Sequence, residues 1–369
     1  MCITTMESSL EEIRKEIDAI DVQMAALFEQ RMAQARRVAE FKKAHGLGIS
    51  DPAREEALIR RNAERVSDGD LREYYVNFEK EVIRLSRDWQ HRLMRGMKVA
   101  YSGVPGAFAY IAASRLYPGA ELLSYPDFAQ AYASCEAGES DVVVLPFENS
   151  FSGEVSTVTD LMFSGSLSVN QVIEVEVEQN LLGLPGTDKS QIRRVYSHPQ
   201  ALSQCAEYLQ RRGYEAREFA NTALAAKKVA EKQDPACAAI GTAEAAALYG
   251  LEVLEARINT SRTNTTRFAA FSRILHLDRD NKGKMGKHFI LMFTVKNEAG
   301  ALAQTLNIIG AHNYNMYNLH SRPMKELLWN YYFFVELDGD IATEEGSSML
   351  RELAPLCDRL KLVGSFYTR

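Results

Sequence analysis

Residues 259–268 read Asn-Thr-Ser-Arg-Thr-Asn-Thr-Thr-Arg-Phe, nine polar side chains in a row closed by an aromatic one. Such a run cannot build a core. It is embedded all the same, because Ala236–Leu254 before it and Phe268–Leu275 after it are apolar segments. Ser, Thr and Asn carry short side chains that both donate and accept, and Arg carries a fixed fork that suits a carboxylate. On a rigid α/β frame, a loop of this makeup is a cradle for a small acid; alone, it reads as a solvated turn. The surrounding chain decides between the two.

Working outward, residues 97–274 alternate strands with helices. Lys98-Val99-Ala100-Tyr101 is a short strand, Ser102-Gly103-Val104-Pro105-Gly106 a turn, and Ala109–Leu116 a helix, so the turn is a seat for an anion at a helix N-terminus. Full dinucleotide and Walker A patterns are absent. Asp141–Pro146 is a buried strand, with Phe147-Glu148-Asn149-Ser150 as the loop leaving it, and Gln171–Glu178 alternates as a half-exposed strand. A second βα series follows from Arg194-Val195-Tyr196-Ser197 through Ala223–Lys232 and Ala236–Ala247. This order predicts mainly parallel sheets with ligands off the carboxyl ends of the strands, where Asn149, Ser197 and Thr266 converge. His198, before Pro199 at a helix start, reads as a structural or capping residue, with a general base as the alternative.

The phrases Leu145-Pro146-Phe147-Glu148-Asn149-Ser150-x-x-Gly153, Val195-Tyr196-Ser197-His198-Pro199-Gln200 and Asn264-x-Thr266-Arg267-Phe268 resemble the prephenate dehydratase family in order and content. The resemblance implies two α/β lobes of periplasmic-binding-protein-like form, the second inserted so that the chain returns to the first near Thr266. Prephenate would lie in the cleft and lose carbon dioxide and its ring hydroxyl. Thr266 is the position tied to activity, read here as a positioned hydrogen-bond donor, since an aliphatic hydroxyl is a poor acid. Asn149, Ser150, Ser197 and Arg267 are the expected substrate contacts. Ala107 stands where the family often has Ser or Thr, so no hydroxyl comes from that position.

Residues 1–95 carry a different pattern. Leu10, Ile13, Ile17, Ile20, Met24 and Leu27 alternate steps of three and four, with Ser8 or Ser9 as the cap and no Gly or Pro before Gly46. This predicts a helix of nearly forty residues, roughly 55–60 Å long, that must pair between chains. The same steps then land on Arg31, a cation on an apolar seam that needs an anion. Lys42 lies three turns on, with Cα atoms roughly 16 Å apart, and the pair could hold a dicarboxylate. Arg14, roughly 25 Å up the axis, can join only from an antiparallel partner helix. Asp51-Pro52 starts a second helix, with Glu55 in its first turn. A third, from about Asp70 to Leu93, is expected to turn Phe78, Val82, Leu85 and Trp89 inward, with Ser86 and Gln90 sharing a face.

Ile13-Arg14-Lys15-Glu16-Ile17-Asp18, Arg31, Lys42, Asp51-x-x-Arg54-Glu55 and Ser86-x-x-x-Gln90 resemble the all-helical chorismate mutase domain, an intertwined dimer. The resemblance implies that Arg31 and the other chain's Arg14 clamp the two carboxylates of chorismate. Lys42 and Gln90 would donate to the ether oxygen, and Asp51 and Glu55 would meet the ring hydroxyl, with Ser86 in the same pocket.

After a linker at Gly283-Lys284-Met285-Gly286, residues 287–369 read βαββαβ, the ferredoxin-like α+β order. Gly300, at a strand-to-helix turn, fits either a close backbone approach or tight packing. Glu298-Ala299-Gly300-Ala301-Leu302, Ser321-Arg322-Pro323 and Trp329 resemble the phenylalanine-binding ACT domain, which implies effector contacts at Gly300, Ala301, Leu302, Ser321, Arg322 and Pro323 between paired domains. His320 and Leu328 depart from the common Glu and Pro.

The chain has 369 residues, a net charge of −6 and no basic block, which argues against a nucleic-acid binder. No apolar run approaches the roughly 18 residues that span a bilayer, and no signal peptide opens it, so a cytoplasmic protein is expected. Five scattered cysteines give no zinc signature. Together the resemblances imply a cofactor-free, multidomain, homodimeric enzyme that makes phenylpyruvate from chorismate and is inhibited by L-phenylalanine. A dehydratase with a decayed mutase and a non-catalytic amino-acid sensor are the alternatives.

Overall fold

The computed structural model describes residues 10–260, 263–276, 286–324 and 330–367. The chain divides into two compact units, 1–97 and 98–369. No helix among the described residues is long and apolar enough to cross a membrane.

The first unit consists of α1 (Leu10–Ala44), α2 (Pro52–Ala63) and α3 (Arg72–Arg95). Asp51 caps α2 by accepting from the Arg54 amide at 3.1 Å, with Pro52 in the first turn. α3 packs on α1, yet only Ala35 and Ala39 of α1 are buried. The apolar stripe of its N-terminal half is open, with Leu10, Ile13, Ile17, Ile20, Met24 and Leu27 all exposed in the single chain. The inward face of α3 differs from expectation. Val82 and Ile83 are buried together with the polar Glu79, Ser86 and Gln90, while Phe78 is exposed and Leu85 and Trp89 are half-buried. Polarity misplaced the stripe by about one residue, because this helix buries Glu79 against Asn62 and Tyr75, and Ser86 against Arg31, rather than turning them to water.

The second unit opens with a lobe of β1 (Lys98–Ser102), α4 (Phe108–Leu116), β2 (Glu121–Tyr125), α5 (Phe128–Glu136), β3 (Val142–Asn149), β4 (Gly153–Glu154), α6 (Ser156–Ser164) and β5 (Ser168–Glu176). A second lobe follows: β6 (Asn180–Gly183), β7 (Arg194–Ser197), α7 (Pro199–Gln204), α8 (Ala206–Arg212), β8 (Glu215–Glu218), α9 (Thr222–Lys232), β9 (Cys237–Gly241), α10 (Ala243–Tyr249) and β10 (Glu252–Glu255). β11 (Thr265–Ser272) then returns to the first lobe, between β3 and β5. The sheets are less parallel than expected. In each lobe three parallel strands (β2-β1-β3 and β8-β7-β9) are extended by antiparallel ones. The lobes touch at Gly106, whose φ is +87°; a Cβ there would come within 3.2 Å of the Ala245 backbone. Thr242 Oγ1 donates to the Gly106 carbonyl at 3.1 Å.

β12 (Lys287–Val295), α11 (Ala301–Ala311), β13 (Met316–Pro323), β14 (Tyr331–Asp338), α12 (Glu344–Leu353) and β15 (Cys357–Tyr367) complete the unit in βαββαβ order, with strands arranged β13-β14-β12-β15. Side chains alternate across this sheet. Phe289, Leu291 and Phe293 pack under its helices, whereas Ile290, Met292, Tyr332 and Phe334 enter the same buried cluster as Leu145, Met162 and Val169 of the first lobe. The third segment and the first lobe therefore share a core.

Candidate active sites

In the helical unit, residues from all three helices line one cavity of about 230 Å³. It gathers Arg31, Lys42, Asp51, Glu55, Ser86 and Gln90; Arg14 lies exposed on α1, outside it. Arg31 Nη1 donates to Ser86 Oγ and, at 3.4 Å, to the Val82 carbonyl. Lys42 Nζ donates to the Ile49 carbonyl at 2.6 Å, leaving two of its three hydrogens for a ligand. Gln90 is buried, and its Oε1 has no protein partner among the described residues. Glu55 pairs with Arg87 at 3.3 Å. Arg54 and Arg87 also line the cavity. Arg54 stood inside the quoted motif and follows Asp51 by three residues, so the first turn of α2 already signalled it.

A second cavity, of about 310 Å³, lies in the cleft of the two-lobed region. Thr266 and Asn149 are directly paired across β11 and β3 and both line it. Asn149 Nδ2 donates to Thr266 Oγ1 at 2.9 Å and to Asn264 Oδ1 at 2.8 Å, while its Oδ1 accepts from the amides of Phe151 and Ser152. Its polar atoms are thus committed to the protein. Asn149 fixes the Thr266 oxygen and leaves the Thr266 proton free to point elsewhere, which corrects its expected role as a substrate contact. Phe147–Asn149 continue β3 rather than forming a loop, because β4 pairs with Glu148 and Asn149. His198 Nδ1 accepts from the Gln200 amide at 3.3 Å as the cap of α7, and the residue also lines the cavity. Ala107, the cap of α4, makes no side-chain bond to the helix start.

Three expected contacts fall elsewhere. Ser197 is fully buried, and its Oγ donates to the Ile240 carbonyl at 2.8 Å, a bond inside the second lobe's sheet. Ser150 Oγ donates to the Thr263 carbonyl and accepts from the Thr265 amide, both at 2.9 Å, so it staples the loop ends together. Arg267 cannot face the cleft at all. It follows Thr266 in a strand, where neighbours point to opposite faces. On the far face it is buried, its guanidinium bonding Glu148 at 2.8 Å and both oxygens of Glu336 at 2.7 and 2.8 Å. Residues not singled out from sequence line the cavity instead, among them Gln179, Gln200, Gln204, Asn221 and Asn264. Gln200 and Gln204 are four apart on α7, a spacing that signals a shared face.

The Arg267 cluster joins β11 to the third segment. Burial alone would raise the Glu336 carboxyl, but Arg267, with His288 beside it, holds it below the ordinary glutamate value of 4.5. A depressed carboxyl stabilises the fold fully above that pH and ceases to do so as the pH falls through its folded-state value. Replacing Glu336 with Gln leaves the buried guanidinium to the partly exposed Glu148, and the expected loss is about 1–3 kcal/mol. A urea titration read by activity of this unit checks it; an unshifted midpoint would show that the cluster does not hold the strand.

In the third segment Gly300 has φ +87° at the start of α11, and a Cβ there would meet nothing within 4 Å. Tight packing is therefore not its reason; the left-handed backbone is. Ala301 and Leu302 are half-buried, Ser321 and Pro323 exposed. β12, β14 and β13 are neighbours, so the Gly300–Leu302 and Ser321–Pro323 stretches stand at one end of the sheet, about 10 Å apart across two strand spacings. The Arg322 side chain points away from them, bonding Glu154 at 2.6 Å and Asp160 at 3.0 Å, which removes it as a side-chain contact for an effector. Leu328 and Trp329 lie outside the described residues, as do Ser8, Ser9 and most of the linker.

The Chorismate mutase type II family model matches residues 13–91, the span of the first cavity, and the Prephenate dehydratase model matches residues 99–274, the span of the second. A bifunctional chorismate mutase/prephenate dehydratase of Aquifex aeolicus is 30% identical over 364 residues, covering 97% of both chains. The chain belongs to the bifunctional chorismate mutase/prephenate dehydratase family.

The Escherichia coli K12 member is 29% identical over 98% of this chain and 97% of its own length. The chain is accordingly a bifunctional enzyme, with the first cavity inside the residues that match the mutase model and the second inside those that match the dehydratase model. A prephenate dehydratase from Arthrobacter aurescens, solved in complex with L-Phe, is 26% identical over 73% of this chain and 90% of that one, with a TM-score of 0.66. A structure described as a novel type of quorum quenching acylase superposes comparably, at 29% identity, a TM-score of 0.67 and coverage of 74% of this chain.

Proposed function

We propose that the helical unit rearranges chorismate to prephenate without a cofactor, and that the cleft expels carbon dioxide and water from prephenate. In the mutase, Arg31 and Arg14 of a second copy hold the two carboxylates, Asp51 and Glu55 meet the ring hydroxyl, and Ser86 orients Arg31. Lys42 and Gln90 donate to the ether oxygen as its bond breaks. Rate enhancement comes from holding the compact conformer and from donors that bond the developing charge more strongly than the ground state. The exposed stripe Leu10–Leu27 supports a homodimer, since an apolar helix face of that length needs a partner. A cytoplasmic location is part of this reading; no helix among the described residues is long and apolar enough to cross a membrane.

In the dehydratase, none of the described residues lining the cavity is Asp, Glu, Lys or Arg. The substrate carboxylates meet the N-termini of α4 and α9, whose leading residues line the cavity and whose dipoles favour anions. Plant relatives include an Arabidopsis thaliana arogenate dehydratase/prephenate dehydratase, 30% identical over 73% of this chain. Arogenate carries an ammonium where prephenate carries a ketone, and a cavity without a carboxylate favours the ketone. L-Phenylalanine acts at the third segment, through the Gly300–Leu302 backbone, exposed at Gly300, and the Ser321 and Pro323 stretch of a paired copy.

What carries this reading is the contrast between the two cavities: one lined by charged residues and by Gln90 with its unpartnered amide oxygen, the other without a charged carboxylate or cation among its described residues and lined by an oriented threonine hydroxyl. Feeding chorismate to the intact enzyme tests it. Phenylpyruvate should accumulate, and L-phenylalanine should slow its appearance. Chorismate loss without phenylpyruvate would sink the coupled reading, and an unchanged rate in phenylalanine would remove the effector.

A further inference from the structure

Gln179 stands where the chain crosses from the first lobe to the second, and it lines the dehydratase cavity. It is 3% exposed. Its Nε2 donates to Gln204 Oε1 at 3.2 Å, yet its Oε1 has no protein partner among the described residues. Its backbone is fixed on both sides: the amide donates to Asn259 Oδ1 at 3.1 Å and the carbonyl accepts from the Ile258 amide at 2.8 Å. An acceptor this buried costs stability unless something donates to it.

At neutral pH prephenate offers two carboxylates, a ketone and one hydroxyl. Everything on it accepts, and only the ring hydroxyl donates. The cavity is the complement: helix-start amides and the Thr266 hydroxyl donate, and Gln179 Oε1 is the buried acceptor left open. Resting on prephenate as the occupant, we propose that Gln179 accepts the hydrogen bond of the substrate's ring hydroxyl and is the residue that distinguishes substrate from product.

The chemistry separates its role from that of Thr266. The ring carboxylate leaves as carbon dioxide, its bonding pair enters the ring, and the ring C–O bond breaks. The oxygen departs with the electron pair of that C–O bond and its own hydrogen, as hydroxide, and takes one proton from solvent to become water. Thr266, donating to this oxygen, stabilises the charge that develops there. Gln179, accepting from its hydrogen, gains nothing as the bond breaks. It therefore acts in binding, before the transition state. Phenylpyruvate has lost the hydroxyl, so it leaves the Gln179 oxygen unpaired again and is released.

Gln179→Met removes the acceptor at similar volume. The expected result is a KM for prephenate raised about ten-fold, from the loss of one buried hydrogen bond, with kcat within about two-fold. Inhibition by added phenylpyruvate should be unchanged or tighter. Gln179→Asn, which keeps an amide but withdraws it by one methylene, should show the same selective pattern and decides the matter if the Met variant does not fold. Wild-type turnover of prephenate establishes the occupant independently. Equal weakening of prephenate and phenylpyruvate, a fall in kcat at unchanged KM, or no change in either would each overturn the assignment.

Discussion

Thr266→Ala should lower phenylpyruvate formation from added prephenate by about 10²–10³-fold, the usual consequence of removing one preorganised donor from a site of developing charge. Chorismate consumption should continue at its normal rate, so prephenate should accumulate. The magnitude follows from the geometry. Asn149 Nδ2 occupies a lone pair of the Thr266 oxygen at 2.9 Å, so the hydroxyl proton is presented to the cavity before substrate arrives. No reorganisation is then needed as the ring C–O bond breaks. A serine should recover part of the rate, because it keeps the hydroxyl while losing the branched side chain's restricted rotation. If Thr266→Ala retained full dehydratase activity, the oriented hydroxyl would be an architectural detail and the cleft's chemistry would lie elsewhere.

Arg31→Ala should abolish most mutase activity, by about 10²–10⁴-fold, and leave dehydration of added prephenate intact. Arg31 is held by Ser86 and the Val82 carbonyl, both on α3, so its side chain is aimed before a substrate binds. Removing it deletes a charge-assisted contact to the substrate and leaves Ser86 Oγ, which still donates to the Val82 carbonyl at 2.9 Å, without its donor. Mixing this variant with Arg14→Ala chains gives a sharper test of the dimer. Each mixed pair would hold one site with both arginines, so random exchange should recover about a quarter of wild-type activity in a two-fold assembly. If Arg14 served its own chain, no activity would return. Loss of both reactions in Arg31→Ala alone would contradict two separate sites.

Much of this was readable in the chain. The mutase residues were legible because a long helix has one period, and a cation recurring on an apolar stripe is visible without a structure. The same rule misled at α3, where Ser86 and Gln90 occupy the buried face and Phe78 does not. In the dehydratase, Thr266 was legible from its phrase, but Arg267 and Ser197 were not. Both are polar residues beside true lining residues, and only strand alternation tells which neighbour faces the cleft. That alternation could not be phased while the start of β11 was unknown. Gln179 escaped notice because it lies at a crossing between lobes, outside every phrase used to recognise the family. Its significance rests on a missing partner, which no sequence displays.

β11 presents a hydroxyl to one side and a guanidinium to the other within two consecutive residues. Length in the preceding connection is therefore not neutral. Deleting or inserting a single residue between Ile258 and Thr265, if the strand slid to absorb it, would exchange the two faces. After a deletion the cleft would receive the bulky cation Arg267 and the carboxylates of Glu148 and Glu336 would confront Phe268; after an insertion those carboxylates would confront Thr266 and lose their guanidinium. Surface loops of this size ordinarily tolerate such changes; here the count of residues is as much a part of the catalyst as their chemistry.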